Sequence, residues 1–163
     1  REDYLDIVSS TLCNTSVSME GLWLMKNQDT YYLLGSGLVN YDDDDDFYLT
    51  APTPLGPWAP RGFIAPVGSR TFHSQTFHGL TVRGSKGVAH VFIGARWCNP
   101  PVINATCDHA QAGNFSTWCC WPPFDDAISI WLPLSFAANG SLIPMQWEDH
   151  WMLDTDGQAF ARH

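Results

Sequence analysis

Two polar residues occupy matching places in this chain. Glu20 stands between Met19 and Gly21, just ahead of the apolar run "LWLM", and Gln75 stands between Ser74 and Thr76, ahead of a second run. The same plan comes after both: an apolar strand, a turn, then a longer apolar strand. A carboxyl group can give or take a proton. An amide can orient a water by accepting its hydrogen bond, although it is no ordinary base. An acid and an amide aimed into one pocket are therefore a candidate pair for chemistry on a bound molecule. Taken singly, Glu20 reads as a solvated residue at a strand start; the matching Gln75 weakens that reading.

The elements that must position this pair are short and β-rich. Helical periodicity is nearly absent, and Gly, Pro, Asn and Asp punctuate the runs. Strands are expected at 22–26, 30–36, 47–51 and 58–64, and again at 76–82, 88–95, 128–136 and 141–147. Tight connections at Asn27-Gln28-Asp29, Gly84-Ser85-Lys86-Gly87 and Ala137-Ala138-Asn139-Gly140 suit hairpins. The two sets repeat at about 55 residues, close to the period of a propeller blade. The expected fold is all-β: two complete four-stranded blades, plus part of a third in "DYLDIVSS". In a propeller the first strand of each blade lines the central axis, so Glu20 and Gln75 should face one axial pocket.

Composition narrows the class. The 163 residues make about one domain, and 45% hydrophobic with eight Trp argues against disorder. A net charge of −9 with only eight Lys and Arg suits neither DNA nor RNA. No apolar run is long enough to span a membrane. The opening "REDYLDIVSS" reads as the middle of a domain, and the absence of a leader there suggests a piece of a longer protein. Four sequons, at Asn14, Asn104, Asn114 and Asn139, point to a secreted glycoprotein. Cys13, Cys98, Cys107, Cys119 and Cys120 fit an oxidising compartment, and at least one disulfide is expected within 98–120. The Cys-, Pro- and Trp-rich stretch 98–126 is expected to be an insertion in the second blade. Zinc is disfavoured because no paired CxxC spacing occurs. The Asp42–Asp46 run is read as a solvated blade loop in preference to a calcium site.

In order along the chain, "MEGLWLMKNQDTYYLLGSG", "FYLTAPTPLGPWAPRG", "TFHSQTF", "GARW", "IWLPLSF" and "IPMQWEDHW" resemble the later part of glycoside hydrolase family 43. The branch most similar is that of the exo-β-1,3-galactanases. The chain departs from it at Ala95, where relatives commonly carry Asp, and in the insertion. The resemblance implies a five-bladed propeller of which residues 1–163 supply the C-terminal portion. It implies an inverting glycosidase acting on β-1,3-galactan or related arabinogalactan side chains, with Glu20 as general acid and Gln75 holding the attacking water. Inverting enzymes keep acid and base roughly 6.5–9.5 Å apart to admit that water. Candidate sugar contacts are His73, Arg96, Trp97 and Trp121. His73, Gln75 and Phe77 share a face if they alternate along a strand, though a packing role competes for His73. Trp23 offers a stacking face but reads more naturally as core. The expected partners are a saccharide and the blades this chain lacks. No metal or cofactor is called for. The alternative reading is a non-catalytic, extracellular carbohydrate-binding or interaction module on the same scaffold.

Overall fold

The computed structural model describes residues 18–38, 44–96, 128–153 and 159–161. The expected disulfides, Trp97, Trp121, the 98–126 insertion, the strand in "DYLDIVSS" and three of the sequons lie outside these residues.

Two antiparallel meanders succeed one another. The first comprises β1 (Glu20–Asn27), β2 (Thr30–Ser36), β3 (Phe47–Ala51) and β4 (Ala59–Phe63) in that spatial order. The second comprises β5 (Gln75–Gly84), β6 (Gly87–Arg96), β7 (Ile128–Phe136) and β8 (Leu142–Ile143), also in order. The first strands of the two sheets, β1 and β5, lie against each other. These are two successive blades of a partial β-propeller. A small hairpin, β9 (Trp151–Leu153) with β10 (Ala159–Ala161), comes last.

Side-chain alternation explains the packing. Trp23, Leu34 and Tyr48 are paired across β1, β2 and β3 and share one face. On β6 and β7, Phe92 pairs with Leu132. These two faces meet in one buried cluster that also holds Met25, Tyr32, Ile130, Leu134 and Leu142. Burying each such side chain is worth about 1.5–3 kcal/mol. The opposite face of the first sheet carries a second cluster of Leu33, Leu49, Ala51 and Trp58. Two tyrosines tie the sheets with polar tips: Tyr32 Oη donates to Gly140 O at 2.6 Å, and Leu142 N donates to Tyr48 Oη at 3.1 Å.

Seven of the expected strands form within a residue or two of the places read from sequence. The eighth is cut from 141–147 to Leu142–Ile143. Pro144 has no N–H to continue the ladder, and Met145 N instead donates to Ile64 O, just past the end of β4, at 2.8 Å. The β9–β10 hairpin has no counterpart among the expected strands. Trp23 belongs to the core, 5% exposed, and lies so close over Gly79 that a Cβ there would collide with its ring. It offers no stacking face.

Candidate active site

Glu20 and Gln75 begin β1 and β5. Both strands are irregular at that point, with register shifts between Glu20 and Trp23 and between Thr76 and His78. A bulge re-aims a side chain out of strict alternation, and here the two bulges turn the polar groups toward each other. Gln75 Nε2 donates to Glu20 Oε1 at 3.0 Å and to Ser36 Oγ at 2.8 Å. Ser36 Oγ in turn lies 3.4 Å from Glu20 O, within donating reach. Gly21 makes the approach possible: its φ is +59°, and a Cβ there would run into the Thr76 carbonyl oxygen. Only glycine meets both conditions without strain.

Gln75 has two N–H donors, and both are directed at Glu20 and Ser36. Its carbonyl oxygen is the part left to accept from a ligand or a water. The two side chains are in contact and are not separated by the 6.5–9.5 Å of an inverting pair, because the bulges bring the strand starts together.

The segment leading into Gln75 is unusual. Arg70, Thr71, Phe72 and His73 all have positive φ, at 51°, 49°, 58° and 59°. A left-handed residue with a Cβ costs roughly 1–2 kcal/mol, so this turn persists only if its surroundings over-determine it. The aspartate run does that. Asp45 Oδ2 accepts from Gly68 N at 2.6 Å and Oδ1 accepts from Arg70 N at 2.7 Å. Asp46 N donates to Thr71 Oγ1 at 2.7 Å, and Thr71 Oγ1 donates to Asp44 O at 3.2 Å. Asp46 Oδ2 accepts from both the backbone and the hydroxyl of Thr76. The expected solvated loop is therefore wrong for Asp44–Asp46: their side chains and backbone anchor residues 68–76, and Asp46 is fully buried. Burial pushes the Asp46 carboxyl up to about 7, against the lowering effect of its Thr76 hydrogen bonds.

His73 sits in the left-handed turn and not on a strand, so alternation does not place it on the face of Gln75. It is half-buried, two residues before Gln75. Arg96 is buried, and its Nε and a terminal nitrogen donate to Phe72 O at 3.0 and 2.6 Å. Its guanidinium lies 4.8 Å from the Trp147 ring centre, and Phe72 meets the same ring edge-on at 5.6 Å. These contacts hold the Arg96 guanidinium against the scaffold at Phe72 and Trp147.

Sequence reasoning missed Ser36, Thr76, Phe72 and Trp147. The hairpin register pointed one residue away from Ser36. Counting back from the Asn27-Gln28-Asp29 turn puts Gly37 opposite Glu20, and the bulge moves the partner by one residue to Ser36. A separate cleft of about 380 Å³ is lined by Lys26, Asn27, Gln28, Arg83 and Val88. It lies at the far ends of β1 and β5, away from Glu20 and Gln75. Among the described residues no group of His, Cys, Asp and Glu is arranged to hold a metal. No helix among them is long and apolar enough to cross a membrane.

No family model matches the sequence, and no curated protein matches it. Solved structures do. The exo-β-1,3-galactanase of Clostridium thermocellum aligns at TM-score 0.64 and 21% identity, over 88% of this chain and 27% of that one. The exo-β-1,3-galactanase of Phanerochaete chrysosporium, solved with β-1,3-galactotriose, aligns at TM-score 0.62 and 22% identity, over 88% and 27%. A family 43 β-1,3-galactosidase solved with galactodeoxynojirimycin aligns at TM-score 0.59 and 23% identity, over 82% and 32%. The chain thus spans about a quarter to a third of the length of the structures it matches. It is a partial propeller, similar in fold to a part of family 43 exo-β-1,3-galactanases.

Proposed function

We propose that this chain supplies the later blades of a secreted, inverting glycoside hydrolase that acts on β-1,3-linked galactosides. Glu20 is the general acid, and Gln75 holds the attacking water. The observation that carries this reading is the hydrogen-bonded set Glu20–Gln75–Ser36, built from equivalent bulged positions of two adjacent blades. Glu20 donates its proton to the leaving oxygen. Gln75, held by its N–H to Ser36 Oγ, presents its carbonyl oxygen to the water. Inversion requires acid and water on opposite faces of the sugar, so in the reacting complex the sugar must part the two side chains. Further axial carboxylates would come from blades outside this chain. The sequon at Asn139 lies in an exposed turn, as a glycan site on a secreted protein requires.

The test uses the intact protein. Glu20→Gln should abolish turnover of a β-1,3-linked galactoside with binding nearly unchanged, because general acid help is worth roughly 10²–10⁴-fold. Gln75→Ala should also be severe, since the water loses its orienting partner. A dinitrophenyl galactoside needs little acid help, so it should rescue Glu20→Gln and not Gln75→Ala. Wild-type rates in both variants would leave the non-catalytic binding module as the reading. Rescue of Gln75→Ala alone would exchange the two roles.

A further inference from the structure

We infer that Asp45 and Arg96 are positioning residues for Gln75, acting through the left-handed turn Arg70–His73; the inference rests on the reading of Gln75 as the water holder. Ser74 alone separates this turn from Gln75, so the direction in which the turn exits sets where the amide points. The turn is gripped at both ends. Asp45 uses both carboxylate oxygens on backbone N–H groups at its entry, those of Gly68 and Arg70. Arg96 converges two guanidinium nitrogens on the Phe72 carbonyl near its exit. Between them, Ser74 Oγ donates to Thr71 O at 2.6 Å. Charged side chains directed at main-chain atoms carry no information about a sugar, but they fix a backbone path that four L-residues would not otherwise take. Trp147 lies against both Arg96 and Phe72 and keeps the second grip in place. The end product of this grip is the Gln75 amide within hydrogen-bond reach of Glu20 and Ser36 on the other blade.

The experiment compares Asp45→Ala with two double variants in the intact protein, Asp45→Ala/Arg70→Gly and Asp45→Ala/Arg70→Ala. Glycine adopts positive φ freely and alanine does not, while both lose the same Arg70 side chain. Asp45→Ala should lower kcat on a β-1,3-linked galactoside by roughly 10–100-fold with KM little changed, because a displaced water costs rate and not sugar affinity. Arg70→Gly should restore most of that loss, and Arg70→Ala should restore none. A lowered melting temperature with unchanged kcat, or equal behaviour of the Gly and Ala doubles, would overturn the inference. Should Asp45→Ala fail to fold, Asp45→Asn, which keeps one acceptor oxygen, should show an intermediate kcat; an unchanged kcat there would count against it. A crystal structure of the variant gives a readout independent of turnover: the Gln75 amide should move out of reach of Glu20 Oε1. If the wild type hydrolyses no galactoside, the proposed reaction fails, while a displaced amide still establishes the positioning. An undisplaced amide refutes it whatever the activity.

Discussion

Asp46 shows how one buried carboxyl can serve a site it does not enter. It has no exposure to solvent and binds Thr76, the neighbour of Gln75, through one oxygen. Desolvation favours the neutral acid and raises the carboxyl from 3.8 to about 7. The folded state therefore holds this proton more tightly than the unfolded one. The stabilisation is full below about pH 3.8, declines as pH rises through the window to about 7, and is gone above it. At 1.36 kcal/mol per unit, the swing is on the order of 4 kcal/mol. Asp46→Asn keeps an acceptor for Thr76 and removes the titration. Relative to that variant, wild-type stability should fall between pH 4 and pH 7 and then level off, as chemical denaturation at a series of pH values would show. Parallel pH profiles for the two proteins would dismiss Asp46 as the source. None of this was visible in the sequence, where five consecutive aspartates look like a solvated loop. The acceptors of three of them are matched to donors more than 20 residues away, and no local pattern encodes that. Glu20 and Gln75 were legible because each opens a strand of a repeated unit, so their likeness could be read without knowing any contact.

At the scale of elements, periodicity and turn residues located the strands but not the irregularities that matter most. Gly21 is the example. As sequence it is one glycine at a strand start. In the fold it carries positive φ, sits within β1's bulge, and lets the backbone of β1 touch that of β5 at Thr76. Gly21→Ala meets two penalties: roughly 1–2 kcal/mol for a left-handed residue with a Cβ, and a collision with a carbonyl oxygen that cannot rotate away as a side chain would. The inner strands should separate at this end, so the variant should lose stability by more than the conformational penalty alone. It should also lose the Glu20–Gln75 hydrogen bond, which a crystal structure would reveal. An unfolding free energy within about 0.5 kcal/mol of wild type, the range of an ordinary surface change, would mean that the blades do not depend on this close approach. The left-handed turn was equally hidden. "RTFH" has no glycine or asparagine to announce positive φ, because its conformation is imposed by Asp45, Asp46 and Arg96 from outside the local sequence.

At the scale of the molecule, two blades do not make a ring. The second sheet has a buried face, packed on the first through Phe92 and Leu132, and a face turned the other way. On that far face lie Leu80, Trp131 and Ile143, exposed by 41%, 49% and 46%. Pairing places Trp131 opposite Ile93 and Ile143 opposite Ser135, on the same side of the sheet as Leu80. An apolar surface of this kind on a sheet face invites association, and a propeller covers such faces by stacking blades around an axis. The solved structures that this chain matches are roughly three to four times longer than the part it covers. Residues 1–163 expressed alone should therefore self-associate or precipitate, and should hydrolyse no β-1,3-linked galactoside, since a site at the axis needs walls from every blade. Co-expression with the blades proposed to complete the ring should yield a soluble assembly and, if Glu20 and Gln75 act as proposed, turnover that Glu20→Gln abolishes. Sedimentation velocity on the isolated chain is the direct measurement. A stable monomer that hydrolyses the galactoside without any further blade would show that two blades suffice, and the axial site would then have to be complete within this chain.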